Sequence, residues 1–268
     1  MEIGFFIGMF VLGTVMGSFL ACQAWRLHYK DVGGKKLGQR SVCLSCNKQL
    51  KWYDNIPIFS WILLGGKCRY CKKKIGMMEI LAELLMGLAF LGVALALNPF
   101  EMTLLGKMIF VLDLLLVTAL GFLAIYDGMW GELPSFMLVI ALVLAAGVAG
   151  CKIWLYGFSL PMLWNLLGAV AILGGIYLVL YLVSRGKWVG SGDWVLGLII
   201  ALSLSEAWLA LIVLCLSNCL GLIIMYPTVR KKKNQKIYFG PFLVMAFVIV
   251  LVFAKVLNGL IFKQLMLK

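Results

Sequence analysis

Residues 104–130 read LLGKMIFVLDLLLVTALGFLAIYDGMW. The stretch is almost wholly apolar and is long enough to cross a bilayer, since a membrane helix needs about 20 such residues. Two acids interrupt it, Asp113 near its middle and Asp127 close to its end. The stretch therefore predicts a membrane helix with ionisable side chains, and these are candidates for function because a charge in lipid is costly to place.

The rest of the chain repeats this apolar pattern. Of its 268 residues, 63% are hydrophobic and 13% are charged, against about 45–50% and about 25% in a soluble domain. The sequence predicts an all-α polytopic membrane protein with about eight transmembrane helices and a first helix that is retained rather than removed as a signal peptide. The predicted segments are residues 3–25, 77–97, 104–126, 134–151, 161–184, 194–204, 206–226 and 239–262. The sixth is the shortest, and Ser203, Ser205 and Glu206 separate it from the seventh.

Basic residues are concentrated in a few loops. The net charge of +13 is compatible with nucleic-acid binding, but residues 26–76 hold twelve of the 24 Lys and Arg, and residues 230–236 hold five more. Such clusters follow the positive-inside rule and contact anionic lipid headgroups. The predicted cytoplasmic loops are residues 26–76, 127–133, 185–193 and 227–238, with both termini outside. We expect lipids, not nucleic acid, as the partners of these charges.

The chain divides by composition into three parts. Residues 1–25 are the first membrane helix, residues 26–76 form a loop domain, and residues 77–268 form a membrane core. A loop of about 50 residues is too small to hold a stable apolar core without a disulfide or a metal.

Four cysteines in that loop form two C-x2-C pairs, Cys43 with Cys46 and Cys68 with Cys71. Four thiolates at such spacing favour a structural zinc ion in tetrahedral coordination. A pair of disulfides is a competing interpretation, although a cytoplasmic loop is reducing. Redox-active cysteines and free thiols also compete with zinc as interpretations of the same pattern. The remaining cysteines are interpreted as packing residues.

Asp127 and Asp193 stand at cytoplasmic ends of two different membrane segments. Gly190 and Gly192 precede Asp193 and permit tight backbone geometry. Two carboxylates at one depth can share a proton and act as general base and general acid, which predicts aspartyl peptide hydrolysis. The competing interpretations are that Asp193 caps a helix and that Asp127 is an ordinary loop acid. Asp113 is interpreted as a structural group that pairs with Lys107 or with another helix.

Several motifs together resemble one family, the bacterial type IV prepilin peptidases, which are bifunctional leader peptidases and N-methyltransferases of pilus, type II secretion and competence systems. The resemblance covers nearly the whole chain. The motifs that carry it are GSFLACQAWRL at 17–27, the C-x2-C pairs, NIPIFSW at 55–61, GGKCRYC at 65–71, the I-x3-E-x3-E-L-L-M-G stretch at 75–87, Asp127 with Pro134, and GSGD at 190–193.

The resemblance implies that Asp127 and Asp193 are the catalytic aspartates of a GxGD-type intramembrane protease, supported by Gly190 and Gly192. It also implies a cytoplasmic zinc site, cleavage of the basic leader of a prepilin or pseudopilin after glycine, and a place in the bacterial cytoplasmic membrane. Members of the family then methylate the new amino terminus with S-adenosylmethionine, and Glu83 and Gly87 match the region associated with that step.

Departures from the family pattern concern methylation more than cleavage. Ala21 stands where the family commonly has Asn, Glu79-Ile80 replace a usual Tyr-Pro pair, and Ser135 replaces Asn. Peptidase activity is therefore the firmer expectation. The competing hypotheses are a peptidase without methyltransferase activity, a membrane scaffold with a zinc docking loop, a transporter that uses Asp113 and a presenilin-like protease.

Overall fold

The computed structural model describes residues 2–31, 40–187, 189–231 and 238–265. Residues 32–39 and 232–237, which belong to the predicted basic loops, lie outside the described residues. The helices are α1 (Glu2–Asp31), α2 (Phe59–Leu63), α3 (Met77–Leu97), α4 (Leu104–Trp130), α5 (Ser135–Tyr156), α6 (Leu160–Ala169), α7 (Ile176–Ser184), α8 (Asp193–Leu204), α9 (Ala207–Lys231) and α10 (Gly240–Leu265). Short 3₁₀ turns lie at Trp52–Asn55 and Pro99–Glu101, and a π-helical segment, Val170–Gly175, joins α6 to α7.

Among the described residues, seven helices are long and apolar enough to cross a membrane, counting α6, the π segment and α7 as one. The remaining predicted segment, the sixth, is α8, which has only 12 residues. The predicted fold class is therefore confirmed. The main difference is at the helix ends, since α1 continues to Asp31 and α4 continues to Trp130.

The chain forms two compact units, Met1–Leu91 and Gly92–Lys268. In the first unit α1 and α3 approach closely at glycines. A Cβ atom on Gly13 would collide with the Met86 carbonyl oxygen, and one on Gly17 would lie 2.8 Å from Glu83 Cα. Glycines four residues apart allow membrane helices to pack backbone to backbone. The predicted division at residues 26 and 77 stays a prediction.

The second unit is built around α8. This helix contacts α5, the π segment, α7, α9 and α10, and most of its side chains are buried. Gly197 allows the closest approach, since a Cβ atom there would lie 2.6 Å from the Leu173 carbonyl oxygen of the π segment. Because α8 is surrounded by protein, a helix too short to span the bilayer is kept in place by its neighbours.

A buried polar cluster lies at the carboxyl end of α8. Lys152 of α5 donates to the carbonyl oxygens of Ser203, at 2.5 Å, and Leu204, at 3.3 Å. Asp113 of α4 is 2% exposed and interacts electrostatically with Lys152. Asp113 Oδ1 has no hydrogen-bond partner in the described part of the chain, so the predicted pairing of Asp113 with Lys107 or with another helix stays a prediction. Lys107 is exposed.

Candidate active site and metal centre

Asp127 lies in the last turn of α4, and its side chain is buried. The helix ends at Gly131, which has a left-handed φ of 72° and donates its N–H to the Asp127 carbonyl oxygen at 2.7 Å. The carboxylate Oδ2 accepts a hydrogen bond of 2.9 Å from the backbone N–H of Gly240, the first residue of α10. Asp127 is therefore a helical, fixed carboxylate, and its interpretation as an ordinary loop acid is wrong.

Asp193 is the first residue of α8, and the helix cap is Gly192. The Asp193 carboxylate points back along the chain and accepts a hydrogen bond of 2.8 Å from the N–H of Gly190. The interpretation that Asp193 itself caps the helix is therefore wrong. Because Gly190 holds the carboxylate through one oxygen, the second oxygen carries no such constraint from that loop.

The two aspartates line one cavity of about 610 Å³. Their charges interact across it. Glu132 is exposed and also lines the cavity. The remaining wall is largely apolar and is formed by Leu133, Leu138, Val139, Leu142 and Val195. Asp127 and Asp193, which were predicted to lie at one depth, therefore line the same cavity. The two carboxylates stand there beside an apolar wall.

One glycine at this site was missed by sequence reasoning, Gly240. Gly131 also lies at the site, at the end of the helix that carries Asp127. A Cβ atom on Gly240 would lie 2.6 Å from Asp127 Oδ2, and one on Gly131 would collide with the ring of Tyr238. Two signals in the sequence pointed to Gly240. A Gly-Pro pair opens the last apolar run, and that run is predicted to begin at the same membrane depth as Asp127. A helix that begins at a glycine leaves the glycine N–H free of helix partners, and such a group binds anions.

The four loop cysteines form two knuckles with the same backbone structure. In each, the residue after the second cysteine has a left-handed φ, 55° at Asn47 and 59° at Lys72. Each knuckle is closed by an antiparallel bridge, Val42 with Gln49 and Lys67 with Lys74. Because the same local structure occurs twice, the loop presents two equivalent pairs of ligand donors.

The sulfur atoms of these cysteines fit a tetrahedral metal. All four Sγ atoms lie within 4.8 Å of one another, and those of Cys43 and Cys71 are 3.9 Å apart. Bonds of ~2.3 Å to a tetrahedral zinc ion separate the sulfurs by about 3.8 Å. The cluster is therefore close to the geometry of a tetrahedral site, and the more distant sulfurs need to move inward by less than about 1 Å to bind one ion.

The thiols of this cluster differ in their tendency to ionise. Backbone N–H groups of Cys71 and Tyr70 lower the pKa of Cys68 to about 7, whereas burial raises the pKa of Cys43 to about 11. An ion pair supports the second knuckle, because Arg69 Nε lies 2.7 Å from the buried Asp54 Oδ1. That hydrogen bond raises the pKa of Arg69. A metal ion binds cysteines as thiolates, so metal binding at this cluster would release protons.

A second cavity, of about 730 Å³, lies between the loop and the helices α1 and α3. Glu79 and Glu83 line it, and Glu79 Oε2 is buried with no hydrogen-bond partner among the described residues. Glu83 Oε2 accepts a hydrogen bond of 2.7 Å from the N–H of Ile58. Gly87 faces Thr14 and Phe10 of α1. Glu83 thus attaches the loop to α3, and Gly87 allows α3 to pack closely against α1. The role of both residues in methylation stays a prediction.

Comparison with known proteins gives the family. A model of the bacterial peptidase A24 N-terminal domain matches residues 11–97. The prepilin leader peptidase/N-methyltransferase of Aeromonas hydrophila is 31% identical over 231 residues, which are 77% of this chain and 69% of that protein. The chain belongs to the prepilin leader peptidase/N-methyltransferase family.

Two further members of the prepilin leader peptidase/N-methyltransferase family extend the comparison. The protein of Aeromonas salmonicida strain A449 is 29% identical over 271 residues, covering 90% of this chain and 88% of that protein. The protein of Vibrio cholerae serotype O1 is 34% identical over 89 residues, which are 31% of this chain and 35% of that protein. No solved structure matches the chain. Family and helices together identify a multi-pass membrane protein.

Proposed function

We propose that this chain is a membrane aspartyl endopeptidase that removes the short basic leader of type IV prepilins or pseudopilins after a glycine, at the cytoplasmic face of a bacterial membrane. The observation that carries the proposal is the single cavity lined by Asp127 and Asp193, which come from two separate helices. The names of the relatives supply the substrate class.

The chemistry requires the two carboxylates to differ in protonation. Two like charges in a partly buried cavity share a proton, so one group is a carboxylate and its partner a carboxylic acid. The carboxylate takes a proton from water, whose oxygen attacks the peptide carbonyl, and the acid protonates the amide nitrogen as the C–N bond breaks.

Burial distinguishes the two groups, whereas hydrogen bonding does not. Each carboxylate accepts one backbone N–H, from Gly240 at Asp127 and from Gly190 at Asp193. Asp127 is the more deeply buried residue of the pair, and burial disfavours the charged form of a carboxyl group. This difference suits Asp127 to the role of acid and Asp193 to the role of base.

The cavity suits the proposed substrate. Leu138, Val139 and Leu142 form an apolar wall on α5, which matches the apolar helix that follows the leader. Glu132 is exposed at the same cavity, and its charge complements a basic leader. The predicted orientation, with most Lys and Arg in cytoplasmic loops, puts this cavity on the side where a prepilin leader is exposed.

The proposal is tested with purified enzyme in vesicles and a prepilin whose leader ends in glycine. Asp127→Asn and Asp193→Asn should each abolish leader removal, measured by mass spectrometry, while the protein accumulates normally. Glu101→Gln is the matched control, because Glu101 is an exposed acid outside the cavity. Cleavage retained in both aspartate variants contradicts the proposal and indicates a non-catalytic scaffold.

We also propose N-methylation of the new amino terminus with S-adenosylmethionine. The names of the relatives include this activity, and the 730 Å³ cavity is within the range of about 300–1,000 Å³ of small-molecule sites. The buried, unpartnered oxygen of Glu79 in this described part of the chain fits a cationic ligand, and Trp61 provides an aromatic wall. S-adenosylmethionine supplies an electrophilic methyl group. The test is the mass of the mature substrate's amino terminus, and an unmethylated product confines the enzyme to proteolysis.

The proposed metal in the loop is zinc. Cys43, Cys46, Cys68 and Cys71 would fill all four positions of a tetrahedral ion, so zinc would fold the loop and take no part in the reaction. Lysines next to the cysteines, including Lys67 and Lys72, offset the negative charge of four thiolates.

A further inference from the structure

The loop between α1 and α3 contains an apolar segment, residues 56–64, that includes α2. Phe59, Ile62 and Leu63 are 68%, 61% and 83% exposed. Large apolar side chains exposed together mark a surface that contacts something other than water. The cysteine knuckles of the same loop carry exposed lysines instead, among them Lys48 and Lys72, so the two parts of the loop present surfaces of opposite character.

The level of this segment along helices α1 and α3 indicates whether it faces water or lipid. The N–H of Ile58 donates to Glu83 Oε2 at 2.7 Å, and Glu83 lies within the candidate span Met77–Glu101. Gly17 of α1 packs against Glu83, so Ile58, Glu83 and Gly17 share one level. Arg26 is the first cation after Gly17 on α1, nine residues on, which is about 13 Å along the helix axis. The segment is thus well below the charged end of α1.

Aromatic residues on α1 give a second reference for this level. Trp25 and Tyr29 stack with their ring centroids 5.8 Å apart near the end of the helix. Such rings mark the boundary between headgroups and acyl chains. Gly17 is eight residues, about 12 Å, below Trp25, so the level of Ile58 is on the acyl-chain side of that boundary.

The backbone of the segment is suited to an environment without water. Ser60, Ile62 and Leu64 donate their N–H groups to the carbonyl oxygens of Ile56, Ile58 and Ser60 at 3.0–3.1 Å. Ile58 has a left-handed φ of 62°, and its N–H is the one that Glu83 accepts. In lipid every exposed N–H group needs such a partner, because an unsatisfied one costs several kcal/mol.

We propose that residues 56–64 are immersed in the lipid leaflet that the loop faces, with Phe59, Ile62 and Leu63 in contact with acyl chains. The loop is then not a wholly water-exposed module: its knuckles stand in water and its apolar segment is anchored in lipid. Pro57, Ser60, Trp61 and Leu64 also line the 730 Å³ cavity, so one wall of that cavity is a membrane-embedded segment.

The experiment uses the full chain reconstituted in vesicles of phosphatidylethanolamine and phosphatidylglycerol. A photoreactive diazirine amino acid replaces Leu63 in one variant and Lys72 in another, and lipid adducts are counted by mass spectrometry after illumination. Because the side chain at position 63 is expected among acyl chains and that at position 72 in water, the yield of lipid adducts at position 63 should exceed that at position 72 by about tenfold or more.

Equal lipid yields at the two positions overturn the proposal. Cross-links from position 63 mainly to a second copy of the chain, seen as a dimer on a denaturing gel, also overturn it. If the Leu63 variant fails to fold, the same substitution at Ile62, compared with Lys72, decides the question. The readout is independent of leader cleavage, so it stands or falls separately from the proposed peptidase activity.

Discussion

At the scale of single residues, backbone N–H groups of glycines hold both carboxylates of the proposed peptidase site. Gly240 donates to Asp127 and Gly190 donates to Asp193. A side chain at either glycine would crowd the carboxylate that it holds, because a Cβ atom would lie 2.6 Å from Asp127 Oδ2 or 3.2 Å from Asp193 Oδ2. The glycines therefore matter through their lack of a Cβ, not through φ.

Gly240→Ala should displace the Asp127 carboxylate while leaving the helix α10 intact, since alanine is a better helix former than glycine. A shift of about 1 Å at a reacting group lowers the rate by about 100-fold, and we expect a loss of that size in kcat for leader removal. Gly259→Ala is the control on the same helix, because no described atom outside its own helix turn lies within 4 Å of the added methyl group. Equal rates in the two variants would show that Gly240 does not position Asp127.

Glu79→Gln should separate the two proposed activities. Glu79 has a buried carboxylate oxygen with no partner in the described part of the chain, so loss of its charge should weaken binding of a cationic methyl donor by about 1.5–3 kcal/mol, or more than tenfold. Transfer of radiolabelled methyl groups from S-adenosylmethionine should fall by that factor while leader removal persists. Loss of both activities would argue for general misfolding.

The sequence predicts a common membrane depth for the two aspartates, because apolar spans and basic loops can be recognised from the order of residues alone. It did not find Gly240, which is 113 residues from Asp127 and meets it only through the packing of α10 on α4. The hydrogen bond from Gly190 to Asp193 is local, yet it was not predicted either. Propensity favours Asp at a cap, whereas here Gly192 takes that position and Asp193 turns back to Gly190.

At the scale of helices, α8 depends on a cation supplied by α5. The last carbonyl groups of a helix carry partial negative charge and need donors. Lys152 provides them at Ser203 and Leu204, and the charge of the buried Asp113 acts favourably on the ammonium group. The proposed catalytic Asp193 is at the opposite end of this same helix.

Lys152→Met should destabilise the protein by about 1–3 kcal/mol, because the carbonyl oxygens of Ser203 and Leu204 then lose their donor. Thermal unfolding in detergent measures this loss. The double variant Lys152→Met, Asp113→Leu should recover part of it, because no buried charge is then left uncompensated. Lys107→Met, at an exposed lysine of α4, should change stability little. A double variant less stable than Lys152→Met alone would contradict an electrostatic interaction between Lys152 and Asp113.

The loop should lose its fold when its metal is removed. Structural zinc contributes about 10–16 kcal/mol of apparent binding free energy to small domains at pH 7. Chelation, or Cys43→Ser, should therefore release the metal and expose the chain around the knuckles to protease, while the helical circular dichroism signal persists. Cys151→Ser is the control, since this cysteine lies on α5 and is not one of the four cluster cysteines. An unchanged digestion pattern after full metal loss would show that the metal does not hold the loop.

Helix positions were predicted well from sequence because apolar length is set by the bilayer, and each of the eight predicted segments corresponds to a helix. The short α8 was foreseen through Ser205 and Glu206, which end it. The segment 56–64 was not separated from its loop, because five helical residues give no membrane-length signal. The position of this segment relative to the membrane follows only from the hydrogen bond that Ile58 donates to Glu83.

At the scale of the whole molecule, charge distribution predicts the orientation in the membrane. The four predicted cytoplasmic loops contain 12, 0, 2 and 5 basic residues, or 19 of the 24 in the chain. Alkaline phosphatase inserted after Gly157 should be active, because that loop is predicted to lie outside, whereas insertion after Gly131 should give an inactive reporter. Activity only at the second site would reverse the orientation and put the carboxylate cavity on the wrong side for a prepilin leader.

The shortness of α8 has a consequence for how the protein is made. A helix of twelve residues is too short to partition into lipid as an independent span, so we expect α8 to insert together with α9 as a hairpin. Chains are synthesised from the amino terminus, and Lys152 therefore enters the membrane before the helix whose end it binds. The helices that carry Asp127 and Lys152 are thus synthesised before α8, which brings the second carboxylate, Asp193.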